Sequence, residues 1–228
     1  MFSIAIDGPA GAGKSSIAKI VSKKFGIFYL DTGALYRALA YYLIEKEVDL
    51  EDKLEIERAV KCCRLKLLFK EKEQQIFVNE KRVDGLIRNN KISTMASLIS
   101  QNAMIRNYLL EIQRDFAKEN SVIMDGRDIG TVVLPDADLK IFLTASLEVR
   151  AKRRFEELLN GEFSVSFEDV LNEIEKRDLN DRERKIAPLK IAEDAVIIDT
   201  SELSLEESVD RIVSLVEKLN LEEHIEFL

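Results

Sequence analysis

The octapeptide Gly8-Pro9-Ala10-Gly11-Ala12-Gly13-Lys14-Ser15 constrains this chain more than any other stretch. It satisfies G-x-x-x-x-G-K-[ST] at every fixed position. The apolar run Phe2-Ser3-Ile4-Ala5-Ile6 precedes it and reads as a buried strand. Ile17, Ala18, Ile20, Val21 and Phe25 follow at helical spacing. A glycine-rich loop between a strand and a helix has a specific physical use. The glycines let the backbone curl until several N–H groups converge on one anion. The helix N-terminus adds unpaired N–H groups and a partial positive charge. Lys14 is then placed to reach β- and γ-phosphates, and the Ser15 hydroxyl to ligate Mg²⁺. The spacing G-x-x-G-x-G is not the dinucleotide fingerprint G-x-G-x-x-G.

The remaining pattern sets the fold class. Further apolar runs at residues 27–30, 121–124, 139–143 and 195–198 read as strands. Helical spacing covers residues 15–25, with Gly26 as a left-handed end, then 34–46, 91–100, 103–118 and 147–159. Asn160-Gly161 reads as a break, Ser166 opens a helix with a box-like cap, and Ser204-Leu205-Glu206-Glu207 is a capping box for the last one. Five short strands alternating with helices predict an α/β three-layer fold around a five-stranded parallel sheet. Between residues 48 and 100 the texture changes. A charged helix is expected at 49–58, a hairpin from 65–69 and 75–78, and a third short strand at Val83. Antiparallel signals inside an alternating pattern predict an inserted subdomain with a small antiparallel sheet.

Composition removes several function classes. The chain has 228 residues, enough for one large domain with insertions, and a net charge of −8. An acidic chain lacks the basic footprint of a nucleic-acid binder. No run of 18 apolar residues is present, so no membrane helix is expected, and a strand beginning at Phe2 leaves no room for a signal peptide. Cys62 and Cys63 are adjacent and match neither a disulfide framework nor zinc spacing. A reducing cytoplasm is the expected compartment. The single histidine, His224, lies in the tail, so catalysis must proceed without a histidine base. Phosphoryl transfer, in which positioning and electrostatics do most of the work, meets that condition.

Arginine is distributed unevenly. Six arginines fall between Arg150 and Arg184 in an otherwise acidic chain. Arg177, Asp181 and Arg184 are spaced i, i+4 and i+7 and share one helix face. Such a face is either a salt-bridged surface, given Asp178 and Glu183 nearby, or a phosphate-recognising one. Residues 150–188 are expected to form a helical lid, because phosphoryl transfer must exclude water. Arg37 stands in the first turn of its helix, where a cation is unfavourable without an anion to meet. Asp125-Gly126-Arg127-Asp128 ends the third core strand, where ligands bind in open α/β sheets.

Four segments together resemble one family: IAIDGPAGAGKSSIAK, YLDTGALYRALA, MDGRDIGTVVLPDADLKIFLTAS and EKRDLNDRERKIAPL. The first is shared by phosphate-loop proteins generally. The set is similar to the bacterial-type cytidylate (CMP/dCMP) kinases, over nearly the whole length. That resemblance implies transfer of a phosphoryl group from ATP to CMP or dCMP with Mg²⁺, by a cytoplasmic monomer with no nucleic-acid or membrane partner. It implies that Gly8, Pro9, Ala10, Gly11, Ala12, Gly13, Lys14, Ser15 and Ser16 hold the ATP phosphates, with Ser15 on the metal. Thr32, Tyr36, Arg37 and Arg127 are implied as acceptor-phosphate and active-site contacts. Ser97, Arg106 and Asp128 are implied as cytosine readers, Asp181 as the ribose contact, and Arg177 and Arg184 as bridges between the phosphates. A UMP kinase or a kinase for another small acceptor, or a phosphate-loop regulatory NTPase, are the alternatives.

Overall fold

Ile4, Ala5 and Ile6 are inaccessible to solvent on either side of their strand, which places that strand inside a sheet covered on both faces. The computed structural model describes residues 1–160 and 165–223. Gly161 and His224 lie outside the described residues. The chain runs β1 (Ser3–Asp7), α1 (Lys14–Phe25), β2 (Phe28–Asp31), α2 (Thr32–Glu45), α3 (Lys53–Cys62), β3 (Leu65–Lys70), β4 (Glu73–Val78), β5 (Lys81–Arg82), α4 (Asn90–Ile99) and α5 (Ala103–Glu119). It continues through β6 (Val122–Gly126), a π-helical turn (Ile129–Val133), β7 (Leu139–Thr144), α6 (Leu147–Asn160), α7 (Phe167–Glu183), β8 (Val196–Asp199) and α8 (Leu205–Glu223).

Five strands form the expected parallel sheet in the order β2-β6-β1-β7-β8. Ile4 of β1 sits opposite Ile123 of β6 and Leu139 of β7. Strand periodicity then divides the core. Ile4, Ile6, Ile123, Ile141 and Leu143 pack against Ile17 and Val21 of α1 and Ile212, Val213 and Val216 of α8. Ala5, Leu30, Val122 and Met124 face the other way, onto Ile129 and Val133, with Leu110 and Phe116 of α5 against them. Each buried Val, Leu, Ile or Met side chain among them contributes about 1.5–3 kcal/mol, so the sheet is a firm platform for the loops at its C-terminal edge.

Residues 48–100 form α3, the three-stranded antiparallel sheet β3-β4-β5, and α4. Ile56 and Val60 of α3, Ile76 and Val78 of β4, and Ile92 and Ala96 of α4 share one cluster with Leu39 and Leu43 of α2 and Ile105 and Leu109 of α5. The insertion thus extends the core of α2 and α5. Two local expectations are corrected. Val83 is not in the third strand, which is Lys81–Arg82; its apolar character reflects complete burial, while its N–H donates to the Ile76 carbonyl at 2.9 Å. The charged helix expected at 49–58 starts at Lys53, because Asp52 takes the N-cap and accepts from the Leu54 and Glu55 amides.

Caps elsewhere are as expected. Gly26 ends α1 at φ 65. Ser204 and Glu207 satisfy each other's backbone amides at the start of α8, at 3.1 and 2.8 Å. The α6–α7 hairpin has an apolar cluster of its own, Ala151, Leu158, Val170 and Ile174, with Phe155 and Phe167 edge to face at 5.8 Å.

Candidate active site

The phosphate loop joins β1 to α1 along the C-terminal edge of the sheet. Gly8 has φ 150, and a Cβ there would lie 1.9 Å from the Leu143 carbonyl oxygen of β7, so no other residue fits. The loop ends at Gly13, which caps α1 with no side chain, and no acidic residue occupies the first turn. The amides at this helix N-terminus are therefore open to an anion. Lys14 is buried and curls back so that its Nζ donates to the Pro9 carbonyl at 2.7 Å. Burial, and then the nearby Arg127 guanidinium, lower its pKa to about 7.

Asp125, near the end of β6, faces the loop. Its Oδ2 accepts from the Ser15 hydroxyl and its Oδ1 from the Tyr29 hydroxyl, each at 2.8 Å. Burial raises its pKa, and Asp31 adds to the rise. Thr32 donates to the Asp125 carbonyl at 2.7 Å and so ties α2 to β6. Asp31 caps α2 through the Ala34 amide and pairs with Arg37 Nη2 at 2.9 Å. α2 begins at Thr32, two residues before the start expected from the sequence, so Arg37 stands past the first turn, and its anion is the N-cap residue Asp31 itself. Among the described residues, Arg37 Nε has no hydrogen-bond partner, although it is buried.

Beyond β6 the side chains interlock. Arg127 Nε donates to Asp181 Oδ2 of α7 at 2.6 Å. Burial opposes ionisation of Asp181, but Arg127 and Arg177 outweigh it and hold the carboxyl below its usual range. Asp128 accepts from Arg106 of α5 through Oδ2 and from Arg184 through Oδ1, the latter at 3.1 Å. Arg106 also lies over the Tyr36 ring, 5.7 Å from its centroid. Burial pushes the Tyr36 hydroxyl up to about 12, so it stays a neutral donor. Burial, with Arg127 beside it, lowers the Arg177 pKa to about 10, and its Nε has no partner among the described residues.

One cavity of about 600 Å³ runs past most of these groups. Its wall includes Ala10, Gly11, Ala12, Gly13, Lys14, Ser15 and Ser16 at one end and Ser97, Arg106 and Asp128 at the other. Thr32, Tyr36, Arg37, Arg127, Arg177, Asp181 and Arg184 line the span between them. Gly8 and Pro9 stand behind the loop and do not line the cavity. The spacing of Arg177, Asp181 and Arg184 on one face holds, with Arg184 as the residue that ends α7. The face is not a solvated surface: Asp181 and Arg184 are buried, Asp181 pairs with Arg127, and all three residues border the cavity. Asp125, Arg153, Arg154 and Thr200 also line it and were not among the expected site residues. Asp125 had a usable signal: it opens the Asp-Gly-Arg-Asp run at a strand's C-terminal end.

The family model described as cytidylate kinase matches residues 4–218. The chain belongs to the cytidylate kinase family. It is 50% identical over 215 residues to the cytidylate kinase of Thermosipho melanesiensis, covering 94% of this chain and 96% of that protein. It is 45% identical over 216 residues to the cytidylate kinase of Bacillus subtilis (strain 168), covering 95% of this chain and 96% of that one. Among solved structures, an uncharacterized protein from Eubacterium ventriosum shares the fold at 13% identity, with a TM-score of 0.52 over 95% of this chain and 99% of the other. Among the described residues no helix is long and apolar enough to cross a membrane.

Proposed function

We propose that this cytidylate kinase family member transfers the γ-phosphoryl group of ATP to CMP or dCMP, giving ADP and CDP or dCDP. The observation that carries this reading is one cavity lined both by the phosphate loop and by the Asp128–Arg106 pair. Two nucleotides laid end to end in it would bring their phosphates together among Lys14, Arg37, Arg127 and Arg177. Arg37 and Arg177 each keep a buried, unpartnered Nε, and a phosphate oxygen would complete both.

Residues 10–16 and the N-terminus of α1 would hold the ATP phosphates, and Lys14 would leave the Pro9 carbonyl to reach them. Arg177 and Arg184 would stabilise charge on the transferring group. The acceptor phosphate oxygen is already anionic, so no general base is required. Tyr36, Arg37 and Arg127 would fix that phosphate, and Asp181 would take the ribose. An ionised Asp128 accepts hydrogen bonds only, which suits the 4-amino group of cytosine; Arg106 donates only, which suits the ring nitrogen and 2-carbonyl. Ser97 borders the same end of the cavity. The α6–α7 hairpin would act as the lid that keeps water out.

The residues present fit Mg²⁺. This ion keeps several waters and takes few protein oxygens. Among the described residues there is no cluster of three or more His, Cys, Asp or Glu side chains that could cage a metal, while the Ser15 hydroxyl and Asp125 carboxylate meet at the mouth of the loop. Those two would hold the ion, which neutralises phosphate charge when bound. Cys62 and Cys63 are both free thiols, which suits a cytoplasmic setting. Steady-state kinetics with Lys14→Ala and Asp128→Asn test the two ends of the cavity separately. Loss of turnover in the first and of acceptor affinity in the second are expected.

A further inference from the structure

We propose that Asp7 is a positioning residue for the acceptor base: it caps the π-helical turn in place of Asp128, and so leaves the Asp128 carboxylate free to face the cavity. The inference rests on the assignment of Asp128 to that base. A helical turn begins with amides that have no internal partner, and an aspartate at the N-cap ordinarily accepts from them. Asp128 occupies that position, with φ −146 and ψ 28, yet its side chain makes no cap hydrogen bond. Its two oxygens point to Arg106 and Arg184 instead. The orphaned amides are taken from across the sheet. Asp7 Oδ1 accepts from the Ile129 N–H and Oδ2 from the Gly130 N–H, each at 2.7 Å.

The register explains how Asp7 reaches them. Asp7 ends β1 opposite Gly126, the last residue of β6, so its carboxylate stands beside the chain as it leaves that strand. The turn then closes on itself through the Val133 amide to the Asp128 carbonyl at 3.1 Å and the Leu134 amide to the Ile129 carbonyl at 2.7 Å. Asp7 is only 5% exposed, so water cannot replace it. A Cβ on Gly130 would lie 3.2 Å from the Lys140 stem and 3.5 Å from Asp7 Oδ2, which leaves the turn little room to tilt. A small rotation of Asp128 about this turn would move its carboxylate off Arg106. Asp7 touches neither substrate; it acts through Asp128.

The test is Asp7→Asn, which keeps the shape but presents an amino group where one backbone N–H now finds an acceptor. KM for CMP should rise about tenfold, while KM for ATP stays within about twofold. In an Asp128→Asn background the same change should add little to KM for CMP, because the two residues act as a unit. An unchanged KM for CMP, or equal rises for both substrates, would overturn the proposal; equal rises would mean that Asp7 serves the phosphate loop beside it. If Asp128→Asn alone leaves KM for CMP untouched, the base assignment fails instead, which is a separate result. Should Asp7→Asn not fold, the wild-type protein gives the answer by hydrogen exchange. CMP alone should slow exchange of the Ile129 and Gly130 amides, and a non-hydrolysable ATP analogue alone should not. No slowing with CMP would overturn the proposal.

Discussion

Arg150 and Asp178 form a buried ion pair directly beneath the phosphate loop. Arg150 comes from α6 and also donates to the Ala10 carbonyl at 3.1 Å; Asp178 comes from α7 and accepts from the Ala10 amide at 3.3 Å. The hairpin that would cover the substrates is therefore anchored to the loop that would hold them. Both residues are about 5% exposed, so removing one partner strands the other charge. Asp178→Ala is expected to cost about 3–5 kcal/mol. Urea denaturation measures this; a loss below about 1 kcal/mol would mean that the pair behaves as a solvated one.

Lys14→Ala should abolish transfer and leave the fold intact. Lys14 belongs to no apolar cluster among the described residues, and its ammonium donates to the Pro9 carbonyl. Turnover should fall on the order of a thousandfold or more, as when a donor to developing charge is lost. Circular dichroism and turnover must be taken together. Unfolding, or near-normal turnover, would contradict the role given to the loop.

Lys14 also predicts a proton signature. Burial, with Arg127 close by, lowers its pKa to about 7 in the free protein, so at pH 8 most molecules carry a neutral amine. A triphosphate beside it favours the charged form, so its pKa rises on binding. Binding a non-hydrolysable ATP analogue at pH 8 should take up a fraction of a proton. At pH 6 Lys14 is about nine-tenths charged and should contribute little. Calorimetry in buffers of different ionisation enthalpy reads the difference, and Lys14→Ala should remove the uptake at pH 8. Equal uptake in that variant would assign the proton elsewhere.

Much of this layout was legible in the chain itself. The buried strands announce themselves as apolar runs, the phosphate loop as a fixed spacing, and the α8 start as Ser204 and Glu207 three residues apart. What stayed hidden depends on partners far away in sequence. The π-helical turn carries Ile129, Thr131, Val132 and Val133, which as a string suggest a strand; the turn's first amides are met by Asp7, 122 and 123 residues away. Asp178 looks like one more acid on a charged helix until α6 brings Arg150 against it. Val83 was misplaced for the opposite reason, because burial in a core and membership of a strand leave the same apolar mark.

Asp128→Asn is expected to collapse the preference for CMP over UMP. Asn retains the size of Asp but can donate as well as accept, so the 4-carbonyl of uracil is no longer opposed by lone pairs alone. The kcat/KM ratio should fall by about tenfold or more. Since Asp128 also holds Arg106 and Arg184, some loss for both substrates is expected as well. Parallel losses with an unchanged ratio would make Asp128 a structural tether and place base recognition elsewhere.

The most direct measurement is coupled detection of ADP release from ATP with CMP, dCMP, UMP or AMP as the acceptor. Rapid, Mg²⁺-dependent release with CMP and dCMP, much slower release with UMP and AMP, and only slow hydrolysis without an acceptor is the predicted result. Slow hydrolysis that no nucleoside monophosphate accelerates would contradict the account.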